Sequence, residues 1–201
     1  TRSTKVLNDR IKQYKKQKDR LHALRKVGVN TTAMAQASGS ATMLYGAECQ
    51  GISDSMLLDA RRAAAAAGAP PGGGKNVDRL LYAIDGARGT IDPAFAAHTL
   101  PLSAWAHAWW EGWVPPHLLE ASFHHASNDL AARRCKWSTP GPVGGMILTA
   151  QRIGWTWREP HLIEDDRGRI WDCRADPPAA IKSGIIASVR RWRLTRIALD
   201  L

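Results

Sequence analysis

The chain has 201 residues, 44 % of them hydrophobic, and a net charge of +10. The length suits one large domain or two small ones, and the apolar share excludes a disordered chain. Cys49, Cys135 and Cys173 are odd in number and far apart, with no C-x-x-C pair. This argues against a disulfide framework and a structural zinc site, and fits a reducing intracellular compartment, nuclear or cytoplasmic. No apolar run reaches the ~18 residues of a membrane span, and no charged-then-apolar signal opens the chain, so no membrane partner is expected.

In chain order, residues 3–27 predict one long amphipathic helix. Leu7, Ile11, Tyr14, Leu21 and Leu24 mark its apolar face, and Gly28 ends it. The first 26 residues hold ten basic side chains against two acids, so most of the net charge sits here. Few neutralising pairs are possible on such a helix, and self-repulsion destabilises it unless a polyanion offsets the charge. The chain begins on Thr inside a helical pattern, which reads as a piece of a longer polypeptide. A second helix starts at Asn30 or Thr31 and runs to about Tyr45. Its small residues (Ala33, Ala35, Ala37, Gly39, Ala41) invite close approach by a neighbour. Ser53 caps a third helix through Ala67.

Residues 68–76 are rich in Gly and Pro and read as a connector between a basic region, 1–67, and a Trp-rich region, 77–201. The Gly74-Lys75 pair is not a phosphate loop. The spacing from Gly68 is one residue too long, Asn76 stands where Ser or Thr would hold magnesium, and two prolines remove amide donors. Residues 77–85 suit a short helix or a strand.

Asp92-Pro93 signals a helix start, and Pro101 is expected to open another helix. On that helix Trp105, Trp109 and Trp113 fall four apart. Pro115-Pro116 separates it from a helix over about 117–134, and Pro142 begins one through about Ile153. Trp110 and Trp137 are the tryptophans expected to be exposed. Residues 155–173 change to a period of two, with Asp165-Asp166-Arg167-Gly168 as a turn and Gly168 at a positive-φ position. Asp176-Pro177 caps a final helix striped by Ile181, Ile185, Val189 and Trp192, with Arg190, Arg191, Arg193 and Arg196 crowding its second half. The fold class is therefore mainly α, a multi-helix domain with a small β-hairpin near residues 160–173.

No complete catalytic site, metal site or cofactor motif emerges. His124 and His125 point about 100° apart on a helix and chelate poorly as a pair. Glu164, Asp165, Asp166 and Asp172 sit in or beside a tight turn among arginines, where local ion pairs account for them. A metal-dependent enzyme would need a cleft joining these carboxylates to His161. A protein-interaction module would need Trp105, Trp109 and Trp113 exposed together, with the basic helix meeting an acidic partner.

Two segments carry a family resemblance: Arg20-Leu21-His22-Ala23-Leu24-Arg25-Lys26 and Tyr45-Gly46-Ala47-Glu48, just after the basic helix. They resemble the region that follows the palm in non-LTR (LINE-type) retroelement reverse transcriptases. The ordered segments Gly51-Ile52-Ser53-Asp54-Ser55, Asp85-Gly86-Ala87-Arg88-Gly89, Asp92-Pro93-Ala94-Phe95, Leu100-Pro101 to Trp113, Ile153-Gly154-Trp155, Asp176-Pro177-Pro178-Ala179 and Val189-Arg190-Arg191-Trp192-Arg193 are similar to the distal part of a group of protist retroelement-derived reading frames. The resemblance implies a thumb-and-connection region of a reverse transcriptase-like polyprotein. Such a region grips an RNA or RNA–DNA duplex along its phosphates without sequence preference, beside the rest of the polyprotein. The Tyr-x-Asp-Asp motif of the palm is absent, so any polymerase activity would belong to the parent protein. The expected phosphate contacts are Lys5, Arg10, Lys12, Lys15, Lys16, Arg25 and Lys26, with Arg190, Arg191, Arg193 and Arg196 secondary.

Overall fold

The computed structural model describes residues 5–69, 76–86, 89–133, 135 and 141–199, apart from the side chains of 35–38 and 40. These residues are mostly helical, with one small three-stranded antiparallel sheet. The chain forms two compact units. One comprises Ser3–Gly46, Ser53–Ala96 and Arg193–Leu201; the other comprises Thr1–Arg2, Ala47–Ile52 and Ala97–Trp192. The first holds the basic N-terminal segment, and the second holds the eight tryptophans among the described residues.

In the basic unit, the first expected helix is two: α1 (Lys5–Lys16) and α2 (Lys18–Lys26). Gln17 interrupts them, its N–H bonding the Tyr14 carbonyl three residues back at 3.0 Å. The apolar stripe explains the break. On a straight helix Lys18 would lie about 20° from Leu7, in the middle of the stripe. With the turn at Gln17, Lys18 is exposed while Leu7, Ile11, Tyr14 and Leu21 are buried.

Helix α3 (Thr31–Leu44) starts where the Asn30 side chain accepts the Ala33 N–H. It packs on α1 and on α5 (Asp54–Gly68), which is capped by Ser53. The small residues of α3 matter at Gly39. A Cβ there would lie 2.7 Å from the Tyr14 hydroxyl, so any larger residue would have to displace the buried Tyr14 side chain. Asn76 caps α6 (Val77–Asp85), which is helical rather than extended and packs on α5. Of the expected connector, residues 70–75 lie outside the described residues; Gly68 belongs to α5.

Helix α7 (Pro93–Trp110) is continuous, with Pro101 inside it, so Pro101 does not open a separate helix. Proline removes one intrahelical donor, but burial on both sides of Pro101 overrides that local preference. The division between the two units falls within α7, and again within α10 (Pro178–Leu199).

In the tryptophan-rich unit, short α4 (Ala47–Gln50) and α8 (Pro116–Ala132) both pack on α9 (Gly141–Arg152). The sheet runs β1 (Thr156–Glu159), β2 (Leu162–Glu164), β3 (Ile170–Asp172). The expected hairpin is the β2–β3 pair, and β1 extends it by pairing Trp157 with Ile163. Trp105, Trp109, Trp155, Ile163, Trp171, Ile181, Ile185 and Val189 are buried. The indole N–H groups are partly satisfied, Trp105 by the Pro160 carbonyl at 2.9 Å and Trp155 by Ser188 at 2.8 Å.

Candidate functional site

Three kinds of polar arrangement stand out: the cations of α1 and α2, the carboxylate-rich turn of the sheet, and a buried ionic cluster in the basic unit.

The buried stripe of α1 fixes what the opposite face presents. Lys5, Lys12 and Lys16 fall within about 40° of one another, roughly opposite Leu7, Ile11 and Tyr14. All three are exposed, and none has a side-chain partner among the described residues. Asp9 is the acid on the same face of α1. Lys26 at the end of α2 is likewise exposed and unpaired among the described residues. Lys15 is exposed but meets Asp59 at 3.5 Å, a weak surface pair.

The arginines of this segment behave differently. Arg10 donates to the Tyr45 carbonyl and lies over the Tyr45 ring, 5.0 Å from its centroid. Arg25 donates to the Thr31 hydroxyl and to the Ala67 carbonyl, the latter at 3.1 Å. His22 meets the Ala66 carbonyl at 2.9 Å. Arg10 and Arg25 thus tie elements together, while the lysines face outward.

The C-terminal arginines do not form one surface patch. Arg190 is exposed. Arg191 pairs with Asp166, whose carboxyl is held below the usual carboxylate range chiefly by that hydrogen-bonded guanidinium. Arg193 is 2 % exposed and pairs with Asp92 at 3.1 Å, so its head does not reach solvent as a phosphate contact would. Arg196 pairs with Asp78 at 3.1 Å while its side chain stays partly exposed.

Arg193 and Arg196 belong to a cluster that no sequence motif announces. Arg61, only 1 % exposed, donates through Nε and Nη2 to both oxygens of Asp92, at 2.9 and 3.0 Å, and through Nη1 to Asp78 at 2.7 Å. Arg193 also donates to the Gly86 carbonyl and lies near the Phe95 ring. Asp85 is buried beside it and accepts from the Thr90 N–H and hydroxyl and the Asp92 N–H. Three arginines thus balance three aspartates. Burial pushes the Asp78 carboxyl up, but Arg61 and then Arg196 outweigh it and hold it below the usual range. Burial likewise pulls Arg61 down, and Asp92 and Asp78 reverse it. The role is structural: each of the three carboxylates is engaged by donors of this protein itself.

At the sheet turn the carboxylates are also engaged. Asp165 accepts from the backbone N–H groups of Arg167 and Arg169 and from the Trp171 indole at 3.2 Å. Asp172 pairs with Arg174, and Glu164 with Arg158. His161 is buried against Trp109. Among the described residues no group of three His, Cys, Asp or Glu side chains is placed to hold a metal ion. His124 and His125 are exposed on α8.

Trp105 and Trp109 are buried, so they offer no shared aromatic face with Trp113, which is 60 % exposed and stacks on His107. Trp110 is exposed, as the sequence suggests, and Trp137 lies outside the described residues. No helix among the described residues is long and apolar enough to cross a membrane. No protein-family model matches the chain, and comparison with curated proteins and with solved structures likewise finds no match.

Proposed function

We propose that this chain is a non-catalytic, nucleic-acid-binding part of a reverse transcriptase-like retroelement protein, and that it grips the phosphates of an RNA or RNA–DNA duplex through the outward lysines of α1 and α2. The observation that carries this reading is the row Lys5, Lys12 and Lys16, exposed opposite the buried stripe and without side-chain partners among the described residues. Lys26 extends the set, and Lys15 can join by leaving Asp59. Flexible ammonium groups neutralise phosphates as point charges and read no bases, which suits sequence-independent binding. The family resemblance supplies the object of the grip, a template–primer duplex. Arg10, Arg25, Arg191, Arg193 and Arg196 serve this reading indirectly, by holding the elements that present the lysines or by bracing their own unit.

Binding of a labelled RNA–DNA duplex, followed by fluorescence anisotropy across salt concentrations, tests it. Four or five lysine–phosphate contacts contribute a slope of about −4 to log K against log salt. The triple variant K5Q/K12Q/K16Q should make that slope shallower by about three units and weaken all duplex sequences alike. A salt-independent affinity, or an unchanged slope in the triple variant, overturns the proposal.

A further inference from the structure

The sheet turn looks electrically neutral in sequence, with Asp165 and Asp166 followed by Arg167 and Arg169. In space its charges separate. Asp165 is occupied by neutral donors: the N–H groups of Arg167 and Arg169, at 2.9 and 3.0 Å, and the Trp171 indole. Asp166 turns to Ser188 and Arg191 on α10. Neither carboxylate meets the two turn guanidiniums. Arg167 and Arg169 are both exposed and have no carboxylate partner among the described residues.

Arg169 is also held in place. Its guanidinium lies over the Trp171 ring, 3.6 Å from the centroid, and Trp155 lies parallel to Trp171 at 6.5 Å. A guanidinium stacked on an indole keeps its N–H edge free for an acceptor and has less rotamer freedom left to lose. Both arginines border a groove of about 480 Å³ with Asp165, Trp171, Arg191 and the small side chains Ala180, Ser183, Gly184 and Ala187 of α10. With so little bulk along α10, the groove can take in an extended chain, and its charge is positive on balance, because Arg167 and Arg169 outweigh Asp165, the one lining carboxylate, which meets only neutral donors.

We infer that this groove is a second polyanion-binding surface, and that its occupant is the phosphodiester backbone of nucleic acid, met by Arg167 and Arg169. The occupant rests on the function proposed above. The planar fork of a stacked arginine matches a phosphate in two-point contact. An acidic polypeptide is the other occupant that the charge would admit, and the test separates the two.

The test uses the full chain, a labelled RNA–DNA duplex and three variants: R167Q/R169Q, R167K/R169K and K5Q/K12Q/K16Q. The side chains changed are exposed, and circular dichroism checks that each variant is folded. Two further phosphate contacts add about two units, giving a total slope near −6, which R167Q/R169Q returns to about −4. R167K/R169K should keep the slope, because charge is retained, while losing part of the affinity, because the fork is gone. An unchanged slope in R167Q/R169Q, with a shallower one in K5Q/K12Q/K16Q, overturns this inference and leaves the lysine grip standing. If R167Q/R169Q changes only the binding of polyglutamate, the surface serves an acidic protein and the inference fails. If the wild-type chain shows no salt-dependent duplex binding, both proposals fall.

Discussion

Burial, with Asp172 and Asp176 adding to it, pushes the Cys173 thiol up to about 12. Such a thiol carries almost no thiolate at pH 8 and lies out of reagent's reach. Cys49 and Cys135 are exposed. An aromatic disulfide reagent should therefore titrate two of the three thiols in the native chain, and the third only after denaturation. Three fast-reacting thiols would contradict the placement of Cys173. Gly168 sits at φ 83°, closing the turn in which its N–H bonds the Asp165 carbonyl at 3.0 Å. Gly168→Ala should cost about 1–2 kcal/mol, because a side chain is strained in that region, and a lowered urea midpoint would register it. This glycine was legible from sequence, since the turn chemistry is local. Arg193 was not. Its neighbours Arg190 and Arg191 suggest a surface cluster, and only the distant Asp92 decides otherwise.

At the scale of elements, the contact of α1 with α3 turns on one atom pair. Gly39→Ala forces a methyl group against the Tyr14 hydroxyl and should destabilise by about 1–3 kcal/mol. Tyr14→Phe removes the oxygen and should recover much of that loss in the double variant. A double-mutant cycle by urea unfolding gives the coupling, and a value near zero would rule the contact out as the cause. Helix starts at Asn30 and Ser53 could be read directly, because a cap is a short-range signal. Two element boundaries could not. Gln17 interrupts a sequence that looks uniformly helical, because the misplaced residue, Lys18, matters only once the stripe is buried. Pro101 continues a helix that local rules would end there, because packing on both sides holds it. Likewise, the pattern around Lys5, Lys12 and Lys16 was readable as charge, but which of the cations stay unpartnered was not.

Over the whole chain, acid is the condition that should undo it first. The Asp78, Asp166 and Asp172 carboxyls are all held below the usual range, with burial opposing the effect at all three and Arg61, Arg191 and Arg174 prevailing. A carboxyl lower in the folded than in the unfolded chain binds fewer protons when folded. Its stabilising contribution is complete above the ordinary value and is lost as pH falls through the lowered one. Urea midpoints should be level near neutrality and decline below about pH 4. Asp78→Asn should flatten that decline; an equally steep fall would place its cause elsewhere. Arg61→Ala leaves Asp92 and Asp78 short of their main partner and should cost about 3–5 kcal/mol, whereas exposed Arg62→Ala should stay within about 0.5 kcal/mol.

The same cluster sets an order of events during synthesis. Arg61, Asp78 and Asp92 emerge from the ribosome together, but Asp78 waits for Arg196, 118 residues further along, and Asp92 waits for Arg193. Until then the nascent basic unit holds Asp78, Asp85 and Asp92 against Arg61 alone at the centre of its future core. The lysine-bearing helices precede the rest of their unit, yet its buried cluster reaches charge balance only when α10 is finished. Pulse proteolysis of ribosome-bound chains should find the helices α1, α3, α5 and α6 of the basic unit protected only once residues 193–199 have cleared the exit tunnel.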